Sequence, residues 1–428
     1  MRFCYILGGM FLFNGFLGRC CGILAAFVLV SGCGTSSAPA ENVADSGTNT
    51  VAVTPPTPAP PPTTPVSNTP SPAGLMGETA IADNFTTSSW IEPGVPEPAS
   101  PDQVGAFRFT CLGGHLSKND PLVYPGQKGA SHLHQFFGNT ETDENSNYNS
   151  LRTTGGSTCT RSTTESPQRS AYWMPAMLDG AGNAVKADWM NTYYKEIPNG
   201  DPACRAAPDA THLGICVPMP NGLRFILGYN MKDGTGGPTD LNSPDQWAMG
   251  FDCVHTDGTG ISYTGNKKTI SEIVATGQCP TGAWLRVFLT FPDCWDGKNL
   301  DSADHRAHIA YATGALILGQ RACPATHPYK IPEVAIQAHF TVDANFAAGK
   351  WHLSSDEMMP GTTPGKTLHM DYWEAWSPPV KDLWQTFCIN GHLSCSAGQL
   401  GNGQQIKGMQ QSTVTGIPRH VLVPLTSI

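Results

Sequence analysis

Charged residues are scarce in this chain of 428 residues: Asp, Glu, Lys and Arg make up 14% of it, against about 25% in an average soluble domain. The balance is acidic, 34 carboxylates to 25 basic side chains. The basic stripe of a nucleic-acid binder is therefore missing, and no nucleic-acid partner is expected. Catalytic signatures are absent as well. There is no Gly-x-Ser-x-Gly elbow, no His-Glu-x-x-His helix and no phosphate-cradling glycine loop, which sets aside serine hydrolases, zincins and nucleotide enzymes. Internal repeats are lacking, and helical periodicity is confined to short stretches.

Glycine and proline, by contrast, number 46 and 36, the composition of a loop-rich fold. Residues 1–32 carry only Arg2 and Arg19 as charges, and an apolar run from Gly22 to Val30 leads into Ser31-Gly32-Cys33. A short basic-then-apolar segment closing on small residues reads as a secretory signal, not a spanning helix. Its end resembles a bacterial lipobox, cut before Cys33 so that the thiol takes a lipid; an ordinary signal peptide with an incidental cysteine is the alternative. Because Arg19 directly precedes the best apolar stretch, the start codon is either Met1 or Met10. Losing residues 1–32 removes two positive and no negative charges, taking the formal charge from −9 to −11.

Residues 33–101 are a linker rich in Ala, Thr, Ser and Pro, with the run Pro58-Ala59-Pro60-Pro61-Pro62. Such a composition buries no core over most of its length and lifts a domain from the membrane by about 3 Å per residue where extended. The expected location is the cell envelope, lipid-anchored through Cys33, with the domain facing outside the cytoplasm.

Ten cysteines follow Cys33, none in a Cys-x-x-Cys pair. An even count in an exported chain predicts five disulfides. Spacing leaves their connectivity open, with Cys204 to Cys216 and Cys388 to Cys395 the pairs that close the shortest loops. Segments rich in β-branched and aromatic residues predict strands at Gly105 to Cys111, Leu223 to Tyr229, Trp284 to Phe291, Glu333 to Val342 and His420 to Leu425. Trp284 to Phe291 is almost continuously apolar and reads as a central strand covered on both faces. Val380, Leu383, Trp384 and Phe387 predict a helix over Pro379 to Cys388, with Ser377 as its cap. Residues 102–428 are read as one mainly β domain, an antiparallel sandwich or jelly roll with long disulfide-pinned loops and few short helices.

Three stretches carry the candidate chemistry: Ser131-His132-Leu133-His134, Asp304-His305-Arg306-Ala307-His308 and Leu368-His369-Met370-Asp371. In an extended strand, side chains two apart share a face, so His132 with His134 and His369 with Asp371 each aim two ligands at one point. Structural hydrogen bonding is the bland alternative. His305 and His308 sit in a loop that also packs Asp293, Asp296, Asp301 and Asp304 after a strong strand, the kind of place where sites are built. Trp373, Tyr124, Arg169 and Tyr172 are candidate substrate contacts, and Asp120 is a further cleft polar.

Asp120 to Gly126, Ser131 to Asn139, Ser170 to Pro175, Cys294 to Asp301 and His369 to Asp371, taken in order, resemble a large family of secreted fungal and bacterial proteins known as a domain of unknown function, DUF1996. The likeness spans about residues 105 to 390 and implies an extracellular, glycan-rich setting. The leading expectation is a surface-anchored protein that cleaves or binds polysaccharide or cell-wall glycan. Its cleft would collect His132, His134, His305, His308, His369 and Asp371, with one divalent metal on His132, His134, His305 and His369. A metal-free lyase and a two-carboxylate glycosidase are variants of it. The competing class is a non-catalytic surface lipoprotein that binds metal or cell-wall glycan.

Overall fold

The computed structural model describes residues 75–96, 100, 104–238, 248–409 and 419–428. The expected signal segment, Cys33 and the linker up to residue 74 lie outside the described residues. The described residues of the segment expected to be linker, 75–96 and 100, include a short strand and a buried ion pair. Ile91–Pro93 pairs with Gln404–Ile406, and Asp83 forms a buried ion pair with Arg152, so its few apolar and charged residues are used on the domain.

Alternating burial along the strands builds two principal sheets. In chain order their strands are β1 (Gly105–Leu112), β2 (Leu116–Ser117), β3 (His134–Gly138), β4 (Ala171–Pro175), β5 (Trp189–Glu196), β6 (Arg224–Gly228), β7 (Met249–Val254), β8 (Trp284–Thr290), β9 (Glu333–Thr341), β10 (His369–Trp373) and β11 (Ser394–Ser396). One sheet has the order β6-β10-β4-β3-β2, the other β7-β8-β9-β5-β1-β11. All pairings are antiparallel except β1 with β11.

Phe137, Tyr172, Met174, Phe225, Leu227, Met370 and Tyr372 from the first sheet share one buried core with Phe107, Phe109, Tyr194, Leu285, Val287, Ile336 and Phe340 from the second. Burying aromatic and branched side chains at this density is the main stabilising term, roughly 1.5–3 kcal/mol for each fully buried large side chain. The polar ends inside the core are paired, with the Tyr194 hydroxyl 2.7 Å from that of Tyr172 and 3.1 Å from that of Tyr372. This is the mainly β, sandwich-type fold expected, with few short helices.

The five predicted strands all form. β8 lies inside its sheet, between β7 and β9, but it is buried on one face only. Leu285, Val287 and Leu289 point inward, while Arg286, Phe288 and Thr290 are half-buried on the other side. The predicted helix runs Pro378–Trp384 and widens into a π-turn over Gln385–Ile389. Ser377 stands at its start, yet the hydroxyl donates to Asp83 and does not cap the helix.

Five disulfides form, Cys204–Cys216 and Cys388–Cys395 as expected together with Cys111–Cys159, Cys253–Cys279 and Cys294–Cys323. They are the mark of a chain that folds in an oxidising compartment. Among the described residues no helix is long and apolar enough to cross a membrane.

On the outer face of the six-stranded sheet, His339 is stacked on Trp189 with ring centroids 4.6 Å apart, and its Nδ1 has no partner. Burial first, then the charge of Arg286, lowers this imidazole to about 3. An unfolded histidine titrates near ~6.5, so the unfolded chain takes up the proton first as pH falls. The stability held by neutral His339 is full above that value and is lost on acidification towards the folded value, at about 1.4 kcal/mol per unit of pH. His339→Phe is therefore expected to flatten the fall in urea midpoint between about pH 6.5 and 3. Identical slopes in the two proteins would contradict this account.

Candidate metal centre

The sandwich decides which way β10 faces. Met370 and Tyr372 enter the inter-sheet core, so the two-residue period turns His369, Asp371 and Trp373 to the outer face of the five-stranded sheet. Along that face Phe136, Trp173, Asp371 and Ile226 stand in register on β3, β4, β10 and β6. His134 opens β3 opposite Pro175. His132 precedes the hydrogen-bonded strand and is pinned from both sides: Ser131 N–H donates to the Lys118 carbonyl at 3.0 Å, and the Leu133 carbonyl accepts from Ala176 N–H at 2.9 Å. Next to His369, Gly228 takes a φ of +91°. A Cβ there would lie 2.6 Å from the Leu368 carbonyl oxygen and 2.9 Å from the His369 Cα, so glycine lets β6 approach this closely.

His132, His134 and His369 converge. One ring nitrogen from each lies within 4.8 Å of the others, and the ring centroids of His132 and His134 are 4.1 Å apart. The His369 Nδ1 lies 2.8 Å from the Thr367 carbonyl. A carbonyl only accepts, so this nitrogen carries the proton and leaves the Nε2 lone pair for the centre. Thr367 is held in turn by Asp356, which accepts from its N–H at 3.2 Å and its hydroxyl at 2.7 Å. Such outer contacts orient a ligand imidazole. The Nε2 atoms of His132 and His134 are buried without a hydrogen-bond partner.

Burial holds His132 down to about 4. It also holds His134 and His369 well below the ordinary histidine range, and the neighbouring imidazoles add to the effect. All three are therefore neutral at pH 7, the form that binds metal. Three imidazoles with an open side match a zinc- or copper-class site better than a calcium or magnesium one.

Asp371 lies on the same face, with both carboxyl oxygens buried and unpartnered. Burial first and Asp120 second push its pKa well above the carboxylate range, against the pull of Arg306. Asp120 is itself raised by burial, and its Oδ1 accepts from the N–H groups of Leu122 and Val123 at 2.8 and 2.9 Å. A cleft of about 530 Å³ opens over this group, lined by Asp120, Tyr124, His132, His305, Arg306, His369 and Asp371 among others.

Other candidates fall elsewhere. His305 lines the cleft but stands outside the imidazole trio, with its Nδ1 2.8 Å from Asp301. His308 is buried between the Ser302 hydroxyl, 2.9 Å away, and the Arg224 carbonyl, 3.0 Å away; its turn folds it under the loop. Arg169 is fully buried and spends its donors on Gly155, Arg152, Thr164 and Asn84. Tyr172 is in the inter-sheet core. Trp373 faces outward but packs with Phe136 and Trp173, under the Arg224 guanidinium.

The four loop carboxylates are also committed. Asp293 pairs with buried Lys330, Asp296 and Asp304 bond the N–H groups of their own turns, and Asp301 pairs with His305 and Arg224. Arg306 and the Asp356–Thr367 support were not picked out from sequence. The signal available for the latter was a hydroxyl residue two positions before His369.

The family model described as "Domain of unknown function (DUF1996)" matches residues 120–376, a span that contains all three imidazoles and Asp371. No curated protein and no solved structure matches the chain.

Two outcomes are expected from substitution. His134→Ala or His369→Ala lowers zinc affinity by at least about 100-fold, read by competition with a chromophoric chelator, with the circular-dichroism spectrum intact. Asp371→Asn, which removes an unpartnered buried acid, raises the unfolding free energy of the metal-free protein at pH 7 by about 1–3 kcal/mol. A drop in stability would show that Asp371 is a structural residue.

Proposed function

The chain belongs to the DUF1996 family, and we propose that it is an exported, envelope-anchored protein that holds one divalent metal on His132, His134 and His369 and acts there on polysaccharide. The observation that carries this reading is the convergence of three neutral imidazoles, two with buried, unpartnered Nε2 atoms, beside an open cleft that His132 and His369 line. An unsatisfied buried polar group costs about 1–3 kcal/mol, and a cation satisfies several here at once.

A metal so held supplies Lewis acidity and lowers the pKa of water. The protein does the rest. Asp371 takes or returns a proton beside the centre. Arg306, anchored by donating to the Gly228 and Tyr229 carbonyls at 2.8 and 3.2 Å, sets a fixed positive charge against developing negative charge. Tyr124 and Asn230 bring an aromatic face and an amide to the cleft wall, a mixture that suits a sugar ring. The disulfides support export, and the lipobox-like end at Cys33 supports a lipid anchor.

The test uses the full chain purified from an oxidising compartment. Metal content is measured by mass spectrometry, and a polysaccharide panel is screened with and without chelator. The expected result is about one zinc- or copper-class ion per chain and glycan cleavage that chelation abolishes. Activity that survives chelation ends the metal reading. A metal-loaded protein that leaves every glycan intact ends the cleavage reading and favours a non-catalytic binder.

A further inference from the structure

The histidine centre does not sit at the bottom of a closed pocket. Ser131, His132 and Met358 line the central cleft and also a second cavity of about 280 Å³ that runs on towards Lys118 and Glu357. On the opposite side, Ile226 and Arg306 line the central cleft and also a third cavity of about 500 Å³ bounded by Thr235 and Tyr311. The three spaces therefore lie side by side, with His132 in the wall shared by the first two and Arg306 in the wall shared by the central cleft and the third. The row of three adjacent spaces is longer than a single small ligand needs.

The chemistry of the walls narrows the occupant. The walls carry both signs, Lys118 and Glu357 in one cavity, and Lys232 and Arg306 with Asp120, Asp304 and Asp371 in the central cleft, so no excess of positive charge selects an anionic chain. An extended peptide commonly binds beside a sheet by pairing with a free edge. The edge strand β6 has no such freedom: its Arg224 and Ile226 N–H groups already donate to the carbonyls of Leu300 and His305 at 3.0 and 2.9 Å. The remaining recognition is by side chains, which suits a chain of hydroxyl-bearing rings.

We infer that the ligand is an extended, neutral glycan chain that crosses the histidine centre with sugar units lodged on both sides of it, so that the protein acts within the chain and not at its end. This rests on the polysaccharide reading above and adds the length and charge of the ligand.

The test is a binding titration of the full, zinc-loaded chain with ladders of neutral β-gluco- and β-xylo-oligosaccharides, from disaccharide to octasaccharide, alongside a uronate ladder and an unstructured peptide. Affinity is expected to rise by roughly tenfold or more from disaccharide to hexasaccharide as successive cavities fill. The pair Lys118→Ala with Glu357→Ala at one end, and Thr235→Trp plugging the other, should each lower affinity for long members only, with zinc content as the control. Equal affinity for short and long neutral members overturns the extended groove and leaves the polysaccharide reading standing. Preference for the uronate ladder overturns neutrality. Binding of the peptide alone, or of nothing, overturns both readings.

Discussion

The burial of Met370 and Tyr372 against the six-stranded sheet is the contact on which the rest of this architecture depends. A strand has two faces, and committing one to the core commits the other. Once those two side chains are inside, with the Tyr372 hydroxyl tied to that of Tyr194, His369 and Asp371 have to stand on the outer face. A one-residue slip of β10 would bury the imidazole and carboxyl in an apolar core and expose the aromatic residue. The register of the sandwich and the geometry of the candidate centre are thus one constraint.

That constraint leaves polar atoms unsatisfied. Both Asp371 oxygens and the Nε2 atoms of His132 and His134 lack partners, whereas three buried ion pairs elsewhere are closed. Arg152 has Asp83, Lys330 has Asp293, and Lys381 reaches Glu374 at 2.9 Å. Isolated polar atoms such as His339 Nδ1 and Glu196 Oε1 are unpartnered elsewhere, but here four such atoms belong to side chains of one sheet face beside a cleft, where the ligand is expected. The support reaches back from the cleft through Thr367 to Asp356, so the orientation of His369 depends on a loop that sequence spacing did not connect to it.

Legibility in the sequence followed the range of the interactions. β1, β6, β8 and β9 were readable because apolar and β-branched residues declare a strand locally. His132 with His134, and His369 with Asp371, were readable as pairs because a two-residue period is local as well. Arg169 and Tyr172 were misread for one reason: a polar side chain in an exported β protein looks the same whether it lines a cleft or is buried among carbonyls and hydroxyls. His308 was placed in the cleft from its neighbours in sequence, but the turn of the loop after β8 buries it between the Ser302 hydroxyl and the Arg224 carbonyl.

The sequence by itself determined the class of fold, the disulfide count and the two pairs of ligand candidates, because composition and short periods act over a few residues. Tertiary structure alone decided that residues 132, 134 and 369 meet, that His305 and His308 do not join them, and that a cleft opens beside the centre. Those facts depend on the antiparallel order of β6, β10, β4 and β3, a set of pairings between segments far apart in the chain that no local pattern encodes.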